Sequence, residues 1–233
     1  MKIIGLIGGM SWESTVPYYQ QINETVKQQL GGLHSAKIIL YSVDFHEIER
    51  LQQDGDWRTA GVMLADAARA LERAGADFLV LCTNTMHKVA SEIETAVGIP
   101  LFHISDPTAQ EITQAGFSKV GLLGTRFTME QDFYKERLHA RHGLQVLIPA
   151  PADREVVHRI IYEELCLGKV CEESRAEYRR VMAQLVDQGA QAIILGCTEI
   201  SLLVGAQDSS VRLFDTTAIH ARQAAMRALA AAS

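Results

Sequence analysis

Two short segments of the chain combine a cysteine with neighbouring polar side chains, among them hydroxyl and amide groups. Residues 80–88 read VLCTNTMHK and contain Cys82, and residues 194–200 read ILGCTEI and contain Cys197. A thiolate can act as a base or as a nucleophile, and the polar groups beside it can bind a small anion. The composition of these segments therefore indicates proton-transfer or nucleophilic chemistry on a small molecule.

An internal repeat aligns the two segments. AGADFLVLCTNT, from residue 74, and QGAQAIILGCTE, from residue 188, correspond without a gap. In this alignment Cys82 falls on a glycine, and Thr83 falls on Cys197. Because side chains alternate direction along a strand, we expect Cys82 to point into packing and Thr83 to take the direction of Cys197.

The position of Cys197 leaves two interpretations open. GCTE stands where a strand gives way to the start of a helix, and N–H donors there can lower the pKa of a thiol and bind an anion. The alternative is a small buried residue at a strand end, because free cysteine is among the most often buried residue types. His87 could likewise orient the group at position 83 or be purely structural.

The elements that carry these segments follow a regular pattern, in which short β-branched runs alternate with amphipathic stretches. Eight strands are predicted, at KIIGLIG, AKIILYSVDF, DFLVLCT, PLFHIS, SKVGLLGT, LQVLIPA, QAIILGCT and RLFDT. Helices are predicted over residues 58–74 and 173–189, where apolar residues recur every three to four positions. Alternation of strands and helices predicts an α/β fold with mainly parallel sheets flanked by helices.

The order of strands and helices occurs twice, which predicts two pseudo-symmetric domains from an internal duplication. We expect the first domain to comprise residues 1–103 plus 214–233 and the second to comprise residues 104–213. Ligands of such sheets bind beyond the carboxyl ends of the strands, so the active site is expected in the interdomain cleft.

Composition narrows the classes of function. The 233 residues carry a net charge of −6, with 48% hydrophobic and 21% charged residues, which is ordinary for a soluble globular protein and predicts no nucleic-acid partner. The sequence has no apolar run long enough to span a membrane, and its amino-terminal segment has no signal-peptide cleavage site. We therefore expect a cytoplasmic protein without a membrane partner. The four cysteines include no C-x-x-C pair, and we predict reduced thiols and no metal. We assign no chemistry to Cys166 and Cys171.

With GLIGGMSWEST at the amino terminus, the two cysteine segments resemble the signatures of the aspartate/glutamate racemase family, and the resemblance covers essentially the whole chain. The similarity is greatest to the enterobacterial broad-specificity amino-acid racemases. It implies two pseudo-symmetric α/β domains, a homodimer and an amino-acid substrate, with no pyridoxal phosphate and no other cofactor. It also implies that one cysteine removes the Cα proton and that a second cysteine returns a proton from the opposite face.

The chain departs from the family at one of these two positions. Cys197 matches the second cysteine, but the residue directly before the Asn84-Thr85 pair is Thr83 rather than cysteine. A threonine hydroxyl holds its proton far more tightly than a thiol, whose pKa is about 8.5, and cannot be an effective base near neutral pH. We therefore expect an asymmetric acid–base pair, in which Cys197 removes the Cα proton and Thr83 only assists proton return. The family resemblance implies that Cys197 acts on the L-enantiomer.

Further residues are expected to hold the substrate. Asn84, Thr85 and Thr198 flank the pair and are expected to bind the α-carboxylate, although each could instead cap a helix. The resemblance implies that Met10 and Thr125 line the cleft.

The side chain of an acidic substrate would need a cation for its distal carboxylate. In the family a lysine and an arginine perform this task, and the matching positions here are Lys169 and Gln52, with Arg50 as an alternative to the latter. Lys169 could also be a helix cap. A glutamine at this position weakens the expectation of strict aspartate specificity and favours aspartate and glutamate among a broader set of amino acids.

Two other functions remain open from the sequence. One active cysteine would suffice for a diacid decarboxylase or isomerase of the same superfold. The chain could also be a catalytically impaired binding protein for small molecules.

Overall fold

The fold was obtained as a computed structural model, which describes residues 1–230. Its contacts divide the chain into two compact units. Unit 1 comprises residues 1–104 and 220–230, and unit 2 comprises Ser105–Ile219. Residues 214–219, which the sequence pattern places in the first domain, group with unit 2.

Unit 1 begins with a strand and continues through alternating helices and strands. Its elements are β1 (Ile4–Gly8), α1 (Trp12–Leu30), β2 (Ile38–Ser42), α2 (Phe45–Asp54), α3 (Trp57–Arg73), β3 (Phe78–Leu81), a 3₁₀ helix (Thr85–Val89), α4 (Ala90–Ala96) and β4 (Leu101–Phe102).

Unit 2 repeats the alternation. Its elements are α5 (Ser105–Gln114), β5 (Lys119–Gly124), α6 (Arg126–Glu130), α7 (Asp132–His142), β6 (Gln145–Leu147), α8 (Pro151–Glu163), a 3₁₀ helix (Leu165–Leu167), α9 (Glu172–Asp187), β7 (Ala192–Gly196), α10 (Ile200–Leu203), a second 3₁₀ helix (Ala206–Asp208) and β8 (Arg212–Asp215). The last helix, α11 (Thr216–Ala230), starts in unit 2 and continues in unit 1.

The two sheets have the same topology. Their strand orders are β2-β1-β3-β4 and β6-β5-β7-β8, and every neighbouring pair is parallel. The registers also agree, since Ile7 pairs with Leu81 in unit 1 and Leu123 pairs with Leu195 in unit 2. The predicted α/β fold and its internal duplication are therefore confirmed.

Equivalent glycines precede the two central strands that end near the cysteine segments. Gly75 before β3 and Gly189 before β7 both have φ of 96°. This backbone conformation is readily adopted by glycine and is strained for residues with a Cβ, which explains why glycine occupies both positions. The shared φ value indicates that equivalent turns precede β3 and β7.

Apolar helix faces cover both sides of the unit 1 sheet. On one side α1 and α11 contribute Tyr18, Ile22 and Ala224 to a buried cluster, and on the other α3 contributes Leu64 and Leu71 to a second cluster. Unit 2 has its own buried cluster around β7, α8 and α9. Within residues 1–230, no helix has the length and apolar character that crossing a membrane requires.

Candidate active site

Cys82 is a core residue of unit 1. Its side chain is fully buried in the cluster that contains Tyr18, Ile22 and Val80. Burial in apolar surroundings raises the pKa of its thiol far above the usual value. The predicted placement of Cys82 in packing is confirmed, and at this position the thiol is neutral.

Thr83 leaves the sheet directly after Cys82 and is 7% exposed. Cys197 follows β7 in the same way and is 8% exposed. Because β3 and β7 pair with β1 and β5 in equivalent registers, Thr83 and Cys197 occupy equivalent positions of the two units. The glycine before Cys197 corresponds to Cys82, and a Cβ added there would lie only 2.7 Å from Leu122 Cδ1.

His87 fixes the backbone of the unit 1 segment from inside the core. Its Nδ1 lies 2.7 Å from the carbonyl oxygen of Thr83, and its Nε2 lies 3.2 Å from the backbone nitrogen of Ile104. A carbonyl only accepts and a backbone N–H only donates, so we assign the proton to Nδ1 and the acceptor role to Nε2. The ring is therefore neutral and holds the loop that carries Thr83.

Cys197 and Thr198 converge on one carboxylate. The Cys197 thiol donates a hydrogen bond to Glu199 Oε2 at 3.0 Å, and the Thr198 hydroxyl donates to the same oxygen at 2.8 Å. Glu199 is only 2% exposed. Glu199 is not among the residues predicted from the sequence, although the acidic residue two positions after the thiol in GCTE is a visible signal.

The pKa of Cys197 is raised, which agrees with the interpretation of this residue as buried at a strand end rather than with a thiol pKa lowered by a helix start. Burial is the largest cause, followed by the negative charge of Glu199 and by the neighbouring Cys166. A backbone hydrogen bond from Glu199 acts in the opposite direction and is outweighed. The helix that follows, α10, has four residues, so little helix dipole is available to stabilise a thiolate.

The polar residues predicted to bind the α-carboxylate are buried at the strand ends. Asn84 and Thr85 begin the 3₁₀ helix of unit 1, and the Asn84 side chain makes no capping hydrogen bond there. In unit 2, Thr198 follows β7 and is buried. Thr125, which was predicted to line the cleft, caps α6, where its Oγ1 accepts a hydrogen bond from the backbone N–H of Thr128 at 3.3 Å. Thr125 is thus occupied as a helix cap.

The remaining predicted substrate contacts divide into buried and exposed residues. Met10 belongs to a core cluster of unit 1, and Gln52 is buried on α2, where its amide donates to Met86 Sδ at 3.0 Å. Lys169 is exposed and follows the 3₁₀ helix Leu165–Leu167, and Arg50 is exposed on α2. Gln52 is therefore the more enclosed of the two residues proposed after the second strand.

The chemistry available at these positions is proton transfer. Unit 2 supplies a thiol that shares a hydrogen bond with a buried carboxylate, and unit 1 supplies a hydroxyl with buried amide and hydroxyl neighbours. In the part of the chain that the structure describes, no cluster of three or more His, Cys, Asp or Glu side chains is arranged to hold a metal ion.

Comparison with known proteins places these features in one family. The profile of the Asp/Glu/hydantoin racemase family matches residues 7–224. The chain is 24% identical over 232 residues to the broad-specificity amino-acid racemase RacX of Bacillus subtilis (strain 168), covering 94% of this chain and 95% of RacX.

Solved structures agree with this match. A Yersinia pestis protein assigned as an Asp/Glu racemase is 66% identical, with a TM-score of 0.91 over 98% of this chain and all (100%) of that chain. An aspartate racemase homologue from Pyrococcus horikoshii OT3 is 36% identical, with a TM-score of 0.84 and coverage of 98% and 100%.

Proposed function

The chain belongs to the Asp/Glu/hydantoin racemase family, and we propose that it racemises amino acids by removing and returning the Cα proton without a cofactor. In this proposal Cys197 is the base toward the L-enantiomer, and Thr83 assists proton return on the opposite face. Deuterium exchange at Cα would therefore be faster from the L-substrate than from the D-substrate.

One observation carries the asymmetric mechanism. Thr83 and Cys197 stand at equivalent positions of two sheets with equivalent strand registers, and only one of the two side chains is a thiol. Inversion of a carbon centre needs an acid and a base on opposite faces, so equivalent groups of a duplicated fold are suited to the task. The Thr83 hydroxyl can donate a proton to a carbanion. It cannot act as the base, because a threonine hydroxyl is not deprotonated near neutral pH.

The proposed substrate set is broad rather than confined to aspartate and glutamate. Gln52 is a neutral amide where the family resemblance implies an arginine for a distal carboxylate. An amide accepts and donates hydrogen bonds but supplies no charge to discriminate in favour of an acidic side chain. Asn84 and Thr85 would bind the α-carboxylate that all amino acids share. Thr198 would contribute its backbone N–H, because its hydroxyl donates to Glu199. Met10 and Thr125 would line the site, and Lys169 would contact acidic side chains.

We also propose that the working form is a homodimer. β2 is an edge strand of the unit 1 sheet and exposes Leu40. The helix α1 exposes the apolar side chains of Trp12 and Tyr19. These residues line a groove of about 200 Å³ on unit 1. Exposed apolar patches of this kind mark protein interfaces, so Trp12→Glu should convert a dimer, measured by light scattering, into a monomer.

The central experiment follows Cα–H loss for a panel of L- and D-amino acids in deuterated water, with optical rotation recorded in parallel. We expect exchange of several amino acids, faster from the L-enantiomers, and we expect Cys197→Ser to abolish it. Cys171→Ser is the matched control, because Cys171 is a half-buried residue that directly precedes α9 and has no proposed role in the reaction. This variant should catalyse exchange at the original rate.

Each outcome of this panel decides the proposal. Equal rates of Cα–H loss from the L- and D-enantiomers would contradict the asymmetric pair. Absence of exchange, combined with turnover of malonate- or maleate-type diacids, would favour a decarboxylase or an isomerase. Binding of amino acids without any exchange would indicate a binding protein.

A further inference from the structure

We propose that Glu164 is a positioning residue that closes the loop of residues 164–171 and holds Lys169 for the distal carboxylate of an acidic substrate. This inference rests on the proposed function and deepens it, because it names the group that fixes the contact with acidic side chains. We call residues 164–171 the Lys169 loop. Glu164 acts through this loop and does not itself touch the substrate.

The Lys169 loop begins beside the candidate base. It connects α8 with α9 in unit 2, and Leu165 is buried in the same apolar cluster as Cys197. Cys166 packs against this cluster and is close enough to raise the pKa of the Cys197 thiol electrostatically. Lys169 follows three residues later, so its ammonium group stands on the segment that leaves the surroundings of the thiol.

Burial does not order the tip of the Lys169 loop. Leu167 is 60% exposed, Val170 is 49% exposed, and Lys169 between them is exposed as well. Gly168 turns the chain at this point with a φ of 69°, a conformation that glycine adopts without strain. Because few apolar contacts hold the tip, its conformation depends on hydrogen bonds.

Glu164 supplies hydrogen bonds at both ends of the Lys169 loop. Its carbonyl oxygen accepts from the backbone N–H groups of Leu167 at 3.0 Å and Lys169 at 2.9 Å. Its Oε2 accepts from the hydroxyl of Ser174 in α9 at 2.6 Å, and Ser174 is buried. The Cys171 thiol is also hydrogen-bonded to this carboxylate, and the Cys171→Ser control keeps a hydroxyl donor in its place. The carboxylate thus ties the start of the loop to the helix that follows it.

Loss of the carboxylate should cost affinity for acidic substrates in particular. An unclosed loop samples more conformations, and binding of a distal carboxylate by Lys169 must then order the loop again. A neutral amino acid makes no such contact with Lys169, so its binding does not depend on this ordering. The effect is therefore expected in KM, and only for substrates with a carboxylate side chain.

Glu164→Ala removes the carboxylate and keeps the backbone hydrogen bonds. In the deuterium-exchange assay, KM for L-aspartate should rise at least about tenfold, with kcat within about threefold of the original. KM for a neutral amino acid of the panel should change by less than about twofold. Glu164→Gln retains one acceptor oxygen for Ser174 and should give a KM for L-aspartate between those of the original and of Glu164→Ala.

These kinetics separate positioning from a purely electrostatic role. If Glu164 acted only through its negative charge, its removal would make Lys169 more attractive to a carboxylate, and KM for L-aspartate would fall. Glu163→Ala is the matched control, because it removes the adjacent exposed carboxylate and should leave KM unchanged. Ser174→Ala breaks the same hydrogen bond from the other side, so combining it with Glu164→Ala should add little to the effect of Glu164→Ala alone.

Trypsin cleavage after Lys169 measures opening of the loop without any reaction. A protease cuts a native protein where the chain opens locally, so this cleavage should become at least about tenfold faster in Glu164→Ala. Cleavage after Lys37, which is exposed in unit 1, is the internal control and should keep its rate. Glu163→Ala should be cut as the original is. Fragment masses identify the two sites, and urea unfolding verifies that the variants are folded.

The two proposals fail in distinguishable ways. A KM for L-aspartate that falls or stays unchanged in a folded Glu164→Ala protein would overturn the role of Glu164, as would equal rises for acidic and neutral substrates. If the original protein exchanges no amino acid, the proposed function is wrong, and trypsin cleavage still tests the closure of the loop. Equal cleavage after Lys169 in the original and in Glu164→Ala would reject that closure.

Discussion

The carbonyl oxygen of Thr83 accepts a hydrogen bond from Nδ1 of His87 at 2.7 Å, which ties the candidate proton donor to a ring that is itself buried. The other ring nitrogen accepts from the backbone N–H of Ile104. The last residue of unit 1 before the chain enters unit 2 is thereby held to the loop that carries Thr83.

His87→Leu should lower the free energy of unfolding, because it leaves the carbonyl of Thr83 and the N–H of Ile104 without these buried partners. An unsatisfied buried group costs about 1–3 kcal/mol, so the loss should be about 2–4 kcal/mol. Urea unfolding measures it. His34→Ala is the control, since His34 is exposed in the same unit and should change the value by less than about 0.5 kcal/mol. Equal effects of the two substitutions would contradict the structural role of His87.

Asp106 on α5 and Arg137 on α7 form a bidentate ion pair in unit 2, with contacts of 2.7 and 2.6 Å. Burial alone would raise the pKa of Asp106, but the hydrogen bonds and charge of Arg137 outweigh it and hold the pKa below its usual value. The stabilisation is therefore present above the unfolded-state pKa of about 3.9 and is lost as the pH falls through the lower folded-state value.

Asp106→Asn should consequently destabilise the protein at neutral pH by about 1–2 kcal/mol, a figure reduced because the pair is partly exposed. The difference between the two proteins should shrink as the pH is lowered below about 4. Urea unfolding across this pH range measures both effects. The exposed pair of Asp66 and Arg69 provides the control, and Asp66→Asn should have little effect at any pH. A difference that stays constant with pH would contradict the assignment.

Cys82→Ala tests which of two adjacent residues does chemistry. Because the Cys82 side chain lies in the core and its thiol is neutral, the substitution should leave Cα exchange within about twofold of the original rate and cost about 1–2 kcal/mol of stability through the small cavity. Deuterium exchange and urea unfolding give the two values. Loss of exchange in a folded Cys82→Ala protein would assign the base to Cys82 and reject the role proposed for Thr83.

The architecture was accessible from the sequence because its signals are local. The alternation of apolar runs gave all eight strands, and the 3–4 spacing over residues 58–74 corresponds to α3 at Trp57–Arg73. The ungapped repeat carried more information still. It implied that Thr83 and Cys197 are equivalent, and the strand registers make them so.

The surroundings of the thiol were not accessible in the same way. The pattern GCTE indicates a strand followed by a helix start, and this pattern alone leaves open whether the thiol pKa is lowered by the helix start or the residue is simply buried. The direction of the Glu199 side chain depends on how the chain turns after β7, and that turn brings the carboxylate back onto Cys197. The exposure of Lys169 and the grouping of residues 214–219 with unit 2 likewise follow from tertiary contacts that no local pattern encodes.

Gln52→Arg should shift the substrate preference toward acidic amino acids. If position 52 contacts the substrate side chain, a guanidinium there adds a charge-assisted hydrogen bond of about 1.5–3 kcal/mol to a distal carboxylate, which corresponds to about tenfold or more in relative rate. The measurement is kcat/KM for exchange of L-aspartate against a neutral amino acid. Gln52→Met is the uncharged control for the loss of the amide, and urea unfolding reports the cost of burying the new charge. If the ratio of the two kcat/KM values is unchanged in a folded Gln52→Arg protein, position 52 does not contact the side chain of the substrate.

Thr83→Cys should convert the asymmetric pair into a two-thiol site. A thiol with a pKa near 8.5 can act as a base where the threonine hydroxyl cannot, so Cα exchange from D-substrates should rise at least about tenfold while exchange from L-substrates persists. Deuterium incorporation from each enantiomer gives the two rates in one experiment. Thr83→Ser retains a hydroxyl and should leave the D-rate low, which separates the effect of the thiol from that of altered packing. If Thr83→Cys leaves the D-rate unchanged although the protein is folded and still exchanges L-substrates, position 83 does not reach the substrate, and proton return must come from another group.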